Sequence, residues 1–576
     1  MIYAFEANFS LQMQNDMRNV GFMCVFMCVF HQFLCAQEPE DFDPYEAERL
    51  ADYVEHPLLI NKAGRSELEE SGLMTTYQIA SLLDYRQRHG DIMSLLELAS
   101  VDGFSSSYLN SIASFISLKG ATLNDTGSAG KSDHDMVLRS GWKMSSGEPD
   151  YSYGMKYRIE TRRWNAALAA NRGAGAERVL PGTFSGYLMW SSSSLPIKVI
   201  AGNFNLRFGQ GLALWNGMNM SGISSPSSLM RNASVLSPSW SFTGGSSLQG
   251  AAAQLVLRRL AVTSAMTVSK KGILPAVNLS YDFADVHTSL THYLKIEGGL
   301  VPDMKTSADI ATCMRGIDLF AEIAYDWADR TVAALVGSIF PLSDNIRSAV
   351  HLRFYPPGYD AGMSGAIRSG NACSNEHALS VAGEYLSPDR NKNLKVSADL
   401  AYFPVSKAKD VESAQLKLLA TYDHTFNDLF TLRLRISERV RSWGIGYRTD
   451  VRSDMVFSAG RFCLTGRFNM LHCTGISLLG YVESGYKADK PSIYFRAGLF
   501  KVDNWDDRIY VYERDAPGSF NVPAFYGRGV WLSMTGSYSV SRRLKLYLRS
   551  SLTSYPFMEK KKPGKAELKL QLSMSL

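Results

Sequence analysis

The chain has 576 residues, 45% hydrophobic, 11% aromatic and only 20% charged, with 46 glycines and a formal net charge of +5. That length exceeds one ordinary soluble domain, and the composition excludes a disordered, collagen-like or disulfide-rich chain while favouring strands and aromatic surfaces. Charge is unevenly spread: residues 37–118 carry 15 acidic and 5 basic side chains, net −10, whereas residues 119–576 carry 54 basic against 38 acidic, net +16.

Residues 1–36 read as a secretory signal. Arg18 precedes an apolar run from Val20 to Leu34, and Ala36 then gives way to the polar QEPEDFDPYEAE, which places cleavage after Ala36. Cys35 raises a lipoprotein alternative, although Leu34 before it is bulky for such a signal. No later stretch approaches the ~18 to 20 apolar residues of a membrane helix. A chain held in a membrane must then span it as a barrel. Cys313, Cys373, Cys463 and Cys473, the cysteines that follow the signal, show no metal-ligand spacing, and a Cys463–Cys473 disulfide stays open.

After an acidic segment at 37–57, residues 58–118 show helical periodicity: Ile79, Leu82 and Leu83 in one run, Leu109, Ile112 and Ile116 in another. Thr75 or Thr76 can cap the first helix and Gly90 end it, and Ser94 with Glu97 has the spacing of a capping box before LLELA. Short turns SGLM and VDGF join helix to helix, giving two hairpins. The stretch from INKAGRSELEESGLM to SIASFI resembles the tandem helix-hairpin-helix domain of competence-type (ComEA-like) DNA receptors. That resemblance implies phosphate or partner contacts at Gly72, Leu73 and Met74 and at Gly103, Phe104 and Ser105. The pattern departs at Met74 and Ser105, where the family has glycine, and the negative charge opposes phosphate. DNA binding is therefore disfavoured against protein docking or a structural role.

Residues 119–135 are polar and rich in Gly, Ser and Asp, a flexible linker with a reach of about 20 to 25 Å. From residue 136 to 576 the period becomes two, as in AELKLQLSMSL and LKLYLRSSL, with runs of the length a tilted membrane strand needs. Alternation alone also fits a soluble sandwich. The export signal, unbroken strands and an apolar last residue favour an antiparallel transmembrane β-barrel of about 16 to 22 strands. The fold class is thus α+β and multidomain: a small helical domain followed by a large barrel. The segments GNFNLRFGQGLALW, HLRFYPPGYDA, DDRIYVYERD and SFNVPAFYGRG resemble helix-hairpin-helix β-barrel proteins of Bacteroidota-type bacteria, a resemblance that implies architecture and compartment, not chemistry.

Within the body, TLRLRISERVR puts Arg433, Arg435, Arg439 and Arg441 on one strand face, opposite Leu432, Leu434, Ile436 and Val440. If the leucines meet lipid, the arginines line the lumen, where they either pair with acids of neighbouring strands or guide an anion or an acidic plug. The long Ser/Gly/Pro-rich stretch 216–250 is either an external loop or an infolded constriction. No catalytic residues, metal ligands or cofactor motif emerge, and the RFGQGLALW glycines do not follow a phosphate-loop pattern. The expectation is a non-enzymatic outer-membrane barrel, a pore or docking scaffold embedded in outer-membrane lipid. Its head is expected in the periplasm, in contact with the barrel or with a periplasmic protein partner; DNA uptake is the alternative.

Overall fold

The computed structural model describes residues 132–576 apart from short stretches in the connections, and much of 58–118; residues 1–57 and 119–131 lie outside it. The expected signal, the acidic segment and most of the linker therefore fall outside the described residues.

In the N-terminal unit, helix α1 (Thr76–His89) ends at Gly90, whose φ of +84° and N–H bond to Arg86 O (3.0 Å) close its last turn. Helix α2 (Leu95–Leu98) begins at Ser94, whose side chain accepts from Glu97 N, as the Ser94/Glu97 spacing implies. A two-residue parallel pair, Leu58–Leu59 with Ile116–Ser117, joins the two ends of the unit. Leu68, Met74, Ile79, Leu82, Ile92, Leu98 and Leu109 fill a separate core. The other helices of two hairpins fall largely on residues outside the described set.

The body is a closed antiparallel barrel of 24 strands, more than the 16 to 22 expected from length. The reason lies in the connections. At one end they are two to five residues long, as at 258–259, 315–316, 428–429 and 460–461, so each strand with its connection takes about 18 residues. The first strand, Asp133–Ser145, starts inside the stretch read as linker and pairs with the last, Lys565–Ser575, closing the barrel; His134 and Leu576 add reciprocal backbone bonds.

The outer face is apolar over the middle of the strands, with Leu168, Leu188, Ile323, Val336, Leu352, Leu400, Val482 and Leu570 exposed. Near the short-turn end, exposed Trp164, Phe283, Phe426 and Phe462 form an aromatic girdle, and Tyr151, Phe184, Trp327 and Phe354 form a second towards the other end. An apolar band between aromatic girdles is the surface of a barrel that spans a bilayer. Both barrel termini lie at the short-turn end, and the three longest connections, 208–247, 356–375 and 503–526, all leave from the opposite end.

Candidate functional site

Those three long connections fold into the lumen. The first begins where the strand Ile197–Arg207 leaves the wall: its last residues, Phe204 to Arg207, pair with an interior strand, Val235–Pro238, and beyond Phe204, which still faces Leu248, they have no wall partner among the described residues. The described part of the stretch read as either an external loop or a constriction is therefore infolded. Gly209 and Gly211, at φ +56° and +92°, let RFGQGLALW double back so that successive N–H groups converge. They converge on a carboxylate of the wall. Glu322 accepts from Gln210 N (2.7 Å), Leu212 N (3.1 Å) and Ala213 N (3.4 Å). A Cβ on Gly209 would stand 2.9 Å from the carboxylates of both Asp309 and Glu322, so the turn and its anion require glycine together. The motif is an anion nest whose anion belongs to the chain itself.

The second segment packs on the first: Gly365 N donates to Gly211 O (2.8 Å), Trp215 N to Met363 O (2.9 Å) and Tyr359 Oη to Leu212 O (2.9 Å). It is fastened to the wall by Arg353. That guanidinium donates to Glu376 (2.9 Å), Asp399 (2.7 Å), Ser380 (2.6 Å) and Ser369 (2.9 Å), while Glu376 also accepts from Ser369 N and Gly370 N. Both side chains of the Arg353–Glu376 pair are fully buried. Removal from water is costly for each ion, and the closed set of hydrogen bonds offsets that cost.

The third segment is held in the same way. Arg549 pairs with Glu513 and, at 2.8 Å, with Glu567; Lys569 reaches Asp515 (2.8 Å); Arg496 bonds Glu483 and Tyr512 O (2.7 Å). Phe525 packs at 4.6 Å from Trp531 of the wall, and Gly498 leaves the space that Trp531 fills.

Between the second and third segments, the strands from Lys392 to His472 are joined by connections of two to five residues, of which 442–446 packs Trp443 on Phe403 and Ile445 against the core of the third segment. Their lumen face follows from register, because directly paired residues share a face. Gln415 donates to Ser369 O of the second segment, and Arg448 to Asp506 O (3.0 Å) and Arg508 O (3.2 Å) of the third. Arg441 is paired with Gln415, and Arg439 with Arg448. Arg435 is paired with Arg452, and Arg433 with Asp454. Arg441 donates to Gln415 (2.5 Å), whereas Arg433 and Arg435 are exposed. Arg452 and Arg467 both bond Asp454.

In the N-terminal unit, Leu73, Met74 and Phe104 are buried in the core, so Met74 does not project from its turn. Gly72, Gly103 and Ser105 lie outside the described residues. The motif residues that carry the family resemblance serve the unit's own structure: Asn61 Nδ2 bonds Ile92 O and Leu118 O, and Arg86 bonds Asn61 O and Ala63 O at 2.7 Å. One of the few cations there is thus committed to backbone. Cys463 and Cys473 are free; one lies at the start of the strand Phe462–His472 and the other just past its end, about 33 Å away along it. Among the described residues no group of His, Cys, Asp or Glu could hold a metal ion.

Glu322, Arg353 and Arg549 were not singled out by sequence reasoning. Their signal is weak but present: each is a charge on the inward side of a strand whose outward side is apolar, as in IDLFAEIAYD.

No protein-family model and no curated protein matches the chain. Among solved structures it is similar to the P pilus usher (PapC) translocation pore, with a TM-score of 0.40 and 10% identity over 77% of this chain and 99% of that one. It is also similar to an E. coli P pilus tip assembly intermediate, PapC-PapD-PapK-PapG (0.48, 11%, 80% and 63%), and to the siderophore receptor PirA from Pseudomonas aeruginosa (0.39, 7%, 77% and 80%).

Proposed function

We propose that this chain is a non-enzymatic outer-membrane pore, narrowed by its own loops and carrying a helix-hairpin-helix docking domain in the periplasm. One observation carries the reading. Lumen-facing Thr291, Lys305, Glu322 and His351, which lie under the inward segments, are at most 2% exposed, while Arg433 and Arg435 on the uncovered arc are open to solvent. The lumen is filled on one side and wet on the other. The location is supported by the signal-like start, the girdled apolar band, and short turns at the end that holds the termini, the periplasmic end in outer-membrane barrels. The head, net −10 over residues 37–118, suits a protein partner better than DNA.

Reconstitution in planar bilayers tests the pore. The protein should conduct far less than an open barrel of its size, and replacing residues 504–525 by a short Gly-Ser connection should raise conductance several-fold. A wide conductance in the unaltered protein, or none after the replacement, refutes the constricted pore. Release from membranes by urea, without heat-dependent gel migration, refutes the location.

A further inference from the structure

The geometry points to a binding site for a multivalent oxyanion, a solute bearing two or more carboxylate or phosphate groups, on the uncovered arc of the lumen at Arg433, Arg435 and Arg452. The inference rests on the accessible-arc reading above. From register, the lumen face of the strands Val411–Asn427, Phe430–Arg441, Tyr447–Ala459 and Phe462–His472 carries eight cations: Lys417, the four arginines of the second strand, Arg448, Arg452 and Arg467. Three acids share it: Asp423, Asp450 and Asp454. Arg433 is flanked in register by Asp423 and Asp454 but bonds neither. Asp454 is taken by Arg452 and Arg467, and Asp450 accepts from Asn469 (2.8 Å). Neither Arg433 nor Arg435 has a hydrogen-bond or ion-pair partner among the described residues.

Spacing gives the ligand class. Arg433 and Arg435 are two residues apart on one strand, so their Cα atoms are about 7 Å apart. Arg435 is directly paired with Arg452 on the next strand, about 5 Å away. The open guanidinium groups of Arg433 and Arg435, with the donors Arg452 keeps beside Asp454, can together hold a solute with two anionic groups about 5 to 7 Å apart. Arg433 and Arg435 sit on the half of their strand next to the short connection 428–429, so the site faces the mouth at which both barrel termini lie.

Isothermal titration of the full mature protein in detergent, at low ionic strength, tests the site with inorganic tripolyphosphate, with succinate, and with chloride at matched ionic strength. Tripolyphosphate or succinate should bind at one site per chain and chloride should not; which of the two binds separates a phosphate from a dicarboxylate. The double variant Arg433→Gln/Arg435→Gln should weaken binding about five- to thirtyfold, with unchanged heat-dependent gel migration. Arg528→Gln, whose exposed partner is Asp503, should leave binding as it was. Equal binding by the double variant, or no binding of either probe, overturns the proposal. Binding that appears only after removal of residues 37–57 also overturns it, because the chain's own acidic segment is then the occupant. The measurement is made at equilibrium, so a barrel that conducts nothing still passes or fails it independently of the pore reading.

Discussion

Glu322→Ala should release the first inward segment, and a native cysteine can report it. The substitution leaves three buried N–H groups, of Gln210, Leu212 and Ala213, without their acceptor. Each such group costs about 1 to 3 kcal/mol when unpaired. Relief of the neighbouring Asp309 carboxylate offsets part of the total, leaving a net loss of about 3 kcal/mol. Cys373 is fully buried in the core that Leu212 shares with Tyr359, Ala366 and Ile367, and burial pushes its thiol pKa up, so it is unreactive while the segments stay packed. In a background with Cys313, Cys463 and Cys473 changed to serine, maleimide labelling of Cys373 measures local opening. A loss of about 3 kcal/mol in the opening free energy raises the labelling rate about a hundredfold. Labelling within twofold of the parent, in a variant that keeps its heat-dependent migration, would refute the clasp as the device that holds the segment.

Two further outcomes follow from the wall. Arg353→Ala strands the buried carboxylates of Glu376 and Asp399 and should destabilise the second segment by about 3 to 5 kcal/mol, read as a lower temperature for conversion of the folded gel band; Arg353→Lys should rescue little, because it cannot reproduce the four-partner fork. Val336→Arg, on the lipid face beside Leu352, should cost about 2 to 4 kcal/mol and impair membrane assembly, whereas Leu342→Arg near the short turn should cost about 1 kcal/mol or less; equal yields of the two would contradict the placement of the apolar band.

Features set by neighbours along the chain were legible in the sequence. The alternation of AELKLQLSMSL, the stop at Gly90 and the cap at Ser94 each depend on contacts within a few residues, and the structure has them where the spacing put them. Strand number was underestimated because two-residue connections carry no composition of their own. The direction of the long loops was hidden for a different reason: the clasp joins Gln210 to Glu322 across 112 residues, and nothing near RFGQGLALW names its anion. The arginine row was visible as a pattern. What lies opposite each arginine depends on the register of three strands, which alternation does not fix.

The wall itself records which parts of the lumen are covered. A 24-stranded barrel is too wide for its own side chains to fill, so each inward position faces either another part of the chain or water. Where the three segments lie, inward positions hold apolar groups such as Phe320, Leu335, Ile339, Tyr481 and Trp531, each buried against a segment. Ionic groups there are buried and engaged by hydrogen bonds, as Glu322 and Arg353 are. Along Val411 to His472 the described contacts with the segments lie at Gln415, Arg448 and Leu471, on the half away from the short turns, and the inward positions nearer the short turns become mostly Arg, Asp, Ser and Thr. A segment that could swing freely would require its part of the wall to tolerate water, and Phe320, Leu335 and Trp531 do not. Burial of apolar wall residues thus argues for segments fixed against the wall, and the charged arc is the part of the lumen face that they leave exposed.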